Sequence, residues 1–165
     1  MLITYFAYGS NMASYRLLSR IPGAKQVSTA ILAEHRLRFH KSDNGESGKC
    51  NIELTGKKSD SVHGVVYQFS PTEKKILDHY ESLGTDYSEK PIQLTTHYGQ
   101  ALSAYTYYAL IIDENLTPYD WYKEHVIRGA REHNLPADYI DQINKIPSKR
   151  DPDYIRSKRE LAIYD

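Results

Sequence analysis

An apolar, β-prone run, Leu2-Ile3-Thr4-Tyr5-Phe6-Ala7-Tyr8, passes straight into Gly9-Ser10-Asn11-Met12, and Ala13-Ser14-Tyr15-Arg16-Leu17-Leu18 then takes up a helical pattern. This predicts a strand, a tight corner and a helix within eighteen residues. Glycine tolerates positive φ and close approach to its backbone, while Ser and Asn can cap the helix that follows. Such a corner leaves several N–H groups directed into one space, with the positive end of a helix dipole behind them. That space suits an anionic or carbonyl oxygen. Many α/β chains make the same corner only to reverse direction, so a second feature has to decide.

Further on, 27–32 and 36–39 read as a strand or a bent pair of strands, 41–49 as a polar, glycine-containing loop, and 51–54 as a short strand. The run 62–69 is apolar enough to be a central strand. Ser70-Pro71-Thr72-Glu73 is a capping box that opens a helix over 71–83, with Ile76, Leu77, Tyr80 and Leu83 as its apolar face and Gly84 as its stop. Two strands follow, 90–98 and 101–112, joined by a two-residue turn at Gly99-Gln100. On the second, Tyr105 and Tyr107 share one face and Tyr108 takes the other. Helices are expected over 118–133 and 137–146, and the charged tail from Pro147 reads as peripheral, with 156–163 either a last helix or a segment packed across the domain. Strands that outnumber helices up to residue 112 and then stop describe an α+β fold: a small mixed, mainly antiparallel β-barrel or sheet flanked by helices, in a single domain over 1–165.

Composition narrows the function classes. With 21 basic and 21 acidic residues the formal charge is zero, which argues against nucleic acid or an anionic membrane as the partner. No apolar run approaches the roughly 20 residues of a membrane helix, and the N-terminus lacks a signal-peptide pattern, so a cytoplasmic location is expected. A lone cysteine, Cys50, excludes an internal disulfide and reads as a small packed hydrophobe. Seven histidines show no compact ligand spacing, and no metal or cofactor is expected. Oligomeric state is not legible; a homodimer is compatible with the sequence. The 15 tyrosines suit a polar-rimmed pocket as well as β-structure.

Glu81 is the second feature. It follows Leu77 by one turn and adjoins Tyr80, so it borders the buried face of its helix, away from Lys74, Lys75 and Asp78. It also lies in the last turn, where the dipole is negative, so burial and dipole both disfavour the ionised form. An ordinary rim glutamate paired with Lys or Arg is the alternative.

Tyr8-Gly9-Ser10-Asn11-Met12, Gly64-Val65-Val66-Tyr67 ahead of a helix, and Leu77-Asp78-His79-Tyr80-Glu81 together resemble the γ-glutamylcyclotransferase family. Tyr122-Lys123 and Gly129-Ala130-Arg131-Glu132-His133-Asn134-Leu135-Pro136 resemble the C-terminal helices of its γ-glutamyl-amino-acid branch, so the likeness runs from residue 3 to about 146. The resemblance implies a small β-barrel with helices around it, a corner that binds a γ-glutamyl group and a glutamate that acts as acid and base. Those roles fall on Glu81 as proton shuttle and on Tyr8, Gly9, Ser10, Asn11 and Met12 as the substrate-binding corner, with Tyr87, Tyr107 or Tyr108, and Tyr122 positioning the substrate. The glutathione-specific branch typically has leucine where this chain has Asn11, which weighs against glutathione. Cyclisation of a γ-glutamyl amide is intramolecular and needs neither a protein nucleophile nor a cofactor. A nucleophilic role for Ser10 lacks orderly His and acid partners in the sequence. A barrel that binds a small ligand or a protein partner without turnover is the competing reading.

Overall fold

Five strands close into a barrel in the order β1-β5-β2-β6-β7. The computed structural model describes residues 1–165. In chain order the elements are β1 (Ile3–Ala7), a 3-10 turn (Ser10–Met12), α1 (Ser14–Arg20), β2 (Lys25–Ala33), β3 (His35–Asp43), β4 (Ser47–Leu54), β5 (Ser61–Phe69) and α2 (Pro71–Tyr80). Then come β6 (Tyr87–Thr96), β7 (Ala101–Ala109), α3 (Asp120–Glu132), α4 (Ala137–Asn144), α5 (Tyr154–Leu161) and a final 3-10 turn (Ala162–Tyr164). All barrel neighbours are antiparallel except β1 and β7, which meet in parallel at Tyr5 and Tyr105. The α+β barrel with flanking helices expected from the element order is the architecture found.

β5 is the central strand that its composition announces. It pairs with β1 on one side and β2 on the other, and Val62, Val65, Val66, Tyr67 and Phe69 are buried. The opposite seam is thin, because β2 and β6 pair only through Ala30–Thr96 and Ile31–Thr95. β3 and β4 form a separate hairpin laid against the barrel.

Several boundaries differ from the sequence reading. Residues 41–49 are not a loop: β3 runs to Asp43, Asn44 and Gly45 turn with φ of 51° and 73°, and β4 begins at Ser47. Lys41, Ser47 and Gly48 are buried although polar or small, which masks the alternation expected of a strand. Gly48 lies so close to β3 that a Cβ would overlap the Phe39 carbonyl, beside the irregular register between Arg38 and Lys41. The β6–β7 turn spans His97 to Gln100 rather than two residues, with Gly99 at φ 81°. β7 stops at Ala109, so Leu110 to Ile112 leave the barrel.

The apolar face assigned to α2 is mostly exposed. Only Leu77 is buried; Ile76, Tyr80 and Leu83 lie on the surface, because the helix meets the barrel along a narrow line. Its capping box forms as expected. The helix ends at Tyr80, with Glu81 as its C-cap, well before Gly84. No helix is long and apolar enough to cross a membrane.

Candidate active site

The corner after β1 is tighter than a strand running into a helix. Ser10, Asn11 and Met12 form one 3-10 turn, closed by the Met12 N–H donating to the Gly9 carbonyl at 3.0 Å. The expected capping of α1 by Ser10 or Asn11 does not occur: Ala13 is the N-cap and makes no side-chain cap, and the Ser14 N–H donates instead to Glu132 from α3. Ser10 and Asn11 are thereby free for other work. The Ser10 and Asn11 amides precede the first hydrogen bond of the turn, and the Gly9 amide lies just outside it.

Gly9 has φ −113°, so positive φ is not why glycine stands there. Close approach is the reason, since a Cβ at this position would sit 2.9 Å from Cys50 Cβ on β4. Gly129 does the same from behind: a Cβ there would meet Ala13 N at 2.5 Å, so only glycine lets α3 press on the turn. The Met12 carbonyl is held by the Tyr67 hydroxyl, which donates at 3.0 Å, and by His133 Nε2 at 2.9 Å.

Between this turn and the end of α2 lies a small cavity lined by Tyr5, Tyr8, Gly9, Ser10, Asn11, Cys50, Glu81, Tyr87, Tyr107 and Tyr122. Asn11 Nδ2 donates to Glu81 Oε1 at 2.9 Å and to the Tyr5 hydroxyl at 3.2 Å. Arg20 Nη1 donates to Asn11 Oδ1 at 2.9 Å and to Glu81 Oε1 at 3.2 Å. The Glu81 side chain is only 14% exposed. The arginine partner is the one the rim-glutamate alternative allowed, but the carboxylate is buried against the cavity rather than on the rim, and the Asn11 amide donor was not anticipated.

Each tyrosine hydroxyl of the cavity can be followed by its partner. Tyr8 donates to the Tyr107 carbonyl at 2.7 Å, Tyr87 to the Cys50 carbonyl at 2.8 Å, and Tyr107 to Asp78 Oδ1 at 2.6 Å. Those three protons are committed. Tyr122 instead accepts from the Cys50 N–H at 3.0 Å, and Tyr5 accepts from Asn11, so both keep a proton to offer a ligand. Burial pushes Tyr5, Tyr8, Tyr87, Tyr107 and Tyr122 all above the ordinary phenol value, so these hydroxyls stay neutral donors. Burial also lifts the Cys50 thiol to about 12, leaving it unreactive.

Of the residues singled out in the sequence, Tyr8, Gly9, Ser10, Asn11, Glu81, Tyr87, Tyr107 and Tyr122 meet in this one cavity. Two do not. Tyr108 points to the other face of β7, where its ring lies under Lys90, and the Met12 side chain is buried behind the turn against Gly129. The sequence reading missed Tyr5, Cys50 and Arg20. Arg16 and Arg20 follow one another by a single helical turn on α1, a signal that was present but carries no direction without the fold. Ser10 Oγ accepts from Arg16 Nε at 3.1 Å and has no base beside it, so the constellation of an activated serine is absent. No three His, Cys, Asp or Glu side chains gather to hold a metal ion.

A wider, polar vestibule opens from the cavity across Ser10, Glu81, Tyr87 and Tyr122. Arg16, Arg20, Lys41 and Lys49 line it with Asp43 and Asp86. Lys41 is buried, pairs with Asp86 at 2.7 Å and lies over the Tyr87 ring.

The AIG2-like family model matches residues 61–143, from β5 through most of α4 and including Glu81. A γ-glutamylcyclotransferase of Bos taurus is 30% identical over 149 residues, spanning 86% of this chain and 77% of the relative. The Homo sapiens γ-glutamylcyclotransferase is 27% identical over 146 residues, with the same coverage. A solved structure of a γ-glutamyl cyclotransferase superposes with a TM-score of 0.88 over 99% of both chains at 24% identity. The chain therefore belongs to the AIG2-like family and, within it, to the γ-glutamylcyclotransferases.

Proposed function

We propose that this protein cyclises the γ-glutamyl part of a small γ-glutamyl amide or amino acid to 5-oxoproline and releases the amine, without a cofactor, with Glu81 as the acid and base. The observation that carries the reading is the meeting of the Glu81 carboxylate with the Gly9–Asn11 turn in one cavity, bridged by Asn11 at 2.9 Å. In this mechanism the turn amides and the Tyr5 and Tyr122 hydroxyls hold the substrate oxygens and fold the γ-glutamyl chain back on itself. Folding brings the α-amino group to the δ-carbonyl and supplies the gain of proximity. Glu81 takes a proton from the ammonium group, and the freed amine attacks the carbonyl. The oxyanion draws on the neutral donors, and Glu81 returns the proton to the leaving nitrogen as the amide bond breaks; it then takes the second proton from the new ring nitrogen and yields it to the released amine, which restores the carboxylate and leaves the neutral lactam.

Asn11 is tied to Glu81 and Arg20, a polar arrangement that leucine at this position could not make, and this sets the site apart from the glutathione-specific pattern. The vestibule, with its mixed charges, would receive the departing amine. A free, buried cysteine fits a reducing, cytoplasmic setting.

The test is release of 5-oxoproline from a panel of γ-glutamyl amino acids, γ-glutamylamines and glutathione by the native protein and by Glu81→Gln. Loss of about 10² to 10⁴ in turnover on substitution is expected for a removed general base. Full turnover by Glu81→Gln would overturn the assignment of the base. Binding without turnover of any panel member would favour a ligand-binding role.

A further inference from the structure

We propose that Arg20 is a positioning residue for the reaction: it pins Glu81 Oε1 and orients the Asn11 amide, so that Oε2 is the oxygen that carries the proton. This rests on the reading of Glu81 as the base. Both protein contacts to the carboxylate, from Asn11 Nδ2 at 2.9 Å and Arg20 Nη1 at 3.2 Å, are made to Oε1. Oε2 receives neither, and the carboxylate lines the cavity. With one oxygen engaged by two N–H donors, the other is free to meet a substrate ammonium.

The amide of Asn11 could stand either way round. Arg20 Nη1 donates to Asn11 Oδ1 at 2.9 Å, which commits Oδ1 to the guanidinium and directs Nδ2 toward Glu81 and Tyr5. Without that donor, a flipped amide would set Oδ1 against the carboxylate. The guanidinium itself is held by Tyr80, whose ring centroid lies 5.0 Å from its Cζ, and its side chain is 16% exposed. Three side chains from the corner, α1 and the end of α2 thus act as one unit.

The charges facing Glu81 come from several elements. α1 contributes Arg16 and Arg20, β3 Lys41 and Asp43, β4 Lys49, and the residue just before β6 is Asp86. On its own helix Asp78 lies one turn back, engaged by Lys74 and the Tyr107 hydroxyl. From β1 and the corner Tyr5 and Tyr8 face it, from β4 Cys50, from β6 Tyr87, from β7 Tyr107 and from α3 Tyr122, all kept neutral by burial. Lys41 is matched by Asp86 and Lys49 by Asp43, and Arg16 by Glu160. Arg20 is the cation paired to Glu81 itself.

The experiment is the pH dependence of kcat/KM for the panel substrate that turns over, in the native protein, Arg20→Met and Arg20→Lys, with Glu81→Gln alongside. A cation beside a carboxylate favours its ionised form, so its removal moves the acid limb of the profile upward. Arg20→Met should shift that limb by about one pH unit, at the low end of what an adjacent opposite charge does. It should also lower kcat about tenfold or more, with KM little changed. Arg20→Lys keeps the charge but carries it on a shorter, flexible chain whose ammonium lacks the planar stacking on Tyr80 that holds Nη1 between Asn11 and Glu81. It should restore the limb while kcat stays reduced.

An unmoved limb in Arg20→Met, with loss seen only in KM or melting temperature, overturns the proposal. Should Arg20→Met fail to fold, Arg20→Lys decides, and native kcat in that variant overturns it as well. If Glu81→Gln turns over normally, the base reading fails whatever the arginine variants do. If Glu81→Gln is inactive and the acid limb ignores Arg20, this inference alone is wrong.

Discussion

Tyr122 and Tyr5 differ from the other tyrosines of the cavity in one respect that their burial does not reveal. Each accepts an N–H and keeps its own proton, whereas Tyr8 and Tyr87 have given theirs to backbone carbonyls. Removing a hydroxyl therefore has different consequences at the two kinds of position. Tyr122→Phe and Tyr5→Phe should each lower kcat/KM by about tenfold or more, because the proposed mechanism uses their protons on substrate oxygens. Tyr8→Phe and Tyr87→Phe should act chiefly on stability, at about 1–3 kcal/mol each, since a buried carbonyl loses its partner. Kinetics and thermal melts on the four variants separate these outcomes; equal kinetic losses in all four would refute the distinction. Sequence reading reached Tyr8, Tyr87, Tyr107 and Tyr122 through the family resemblance, and left Tyr107 and Tyr108 open as alternatives. Period-two alternation put them on opposite faces, but only the closed barrel shows which face lines the cavity. Met12 was assigned to the site because it belongs to the motif, yet its side chain serves to seat α3 behind the turn.

At the scale of an element, the end of α2 carries the most information. The Leu83 N–H donates to the Asp78 carbonyl and the Ser82 N–H to the His79 carbonyl, the double closure of a Schellman motif around the Glu81 C-cap. That motif calls for a left-handed residue at position 82, and Ser82 takes φ 49°. Glycine avoids the Cβ penalty there, and part of this gain is offset by its greater freedom in the unfolded chain. Ser82→Gly should raise stability by about 0.5 kcal/mol, seen as a rise in melting temperature of about 1–2 °C. A lower melting temperature would show that the Ser82 hydroxyl contributes something the backbone geometry does not. The capping box was legible at the start of this helix because it is a local code, four residues long. Its end was not, since the usual signal, glycine, stands two residues too late, at Gly84. The 41–49 hairpin was missed for the opposite reason. Asn44-Gly45 is a strong hairpin signal, but the flanking strands bury Lys41, Ser47 and Gly48 against the site and its surroundings, so they lack the apolar alternation that marks a strand.

Across the whole molecule, the site draws on β1, the corner, α1, β4, α2, β6, β7 and α3, and what keeps them in register extends to the last helix. No residue of α5 is buried, yet Glu160 on α5 accepts from Arg16 Nη1 at 2.8 Å, and Arg16 in turn donates to Ser10 Oγ. His125, buried on α3, lies 3.4 Å from the same carboxylate and 2.6 Å from the Tyr164 hydroxyl. The tail that reads as peripheral in sequence is thus tied to the wall behind the Ser10 corner. Hydrogen bonding to His125, together with the Arg16 charge, holds Glu160 down at about 2. Burial keeps His125 below its ordinary value and so neutral at pH 7, which makes the nearer guanidinium the stronger partner. A carboxyl group depressed by folding stabilises the native state above its unfolded value, and that contribution is lost as pH falls toward the folded one. Glu160→Gln should therefore cost about 1–2 kcal/mol at pH 7, discounted for partial exposure of the pair. The difference from the native protein should narrow from about pH 5 downward and close near pH 2, where the native carboxylate is itself protonated. Urea midpoints of both proteins across that range measure it. A gap that stays constant with pH would mean that Glu160 supports the tail by packing rather than by charge, and that the link from α5 to the Ser10 turn is not electrostatic.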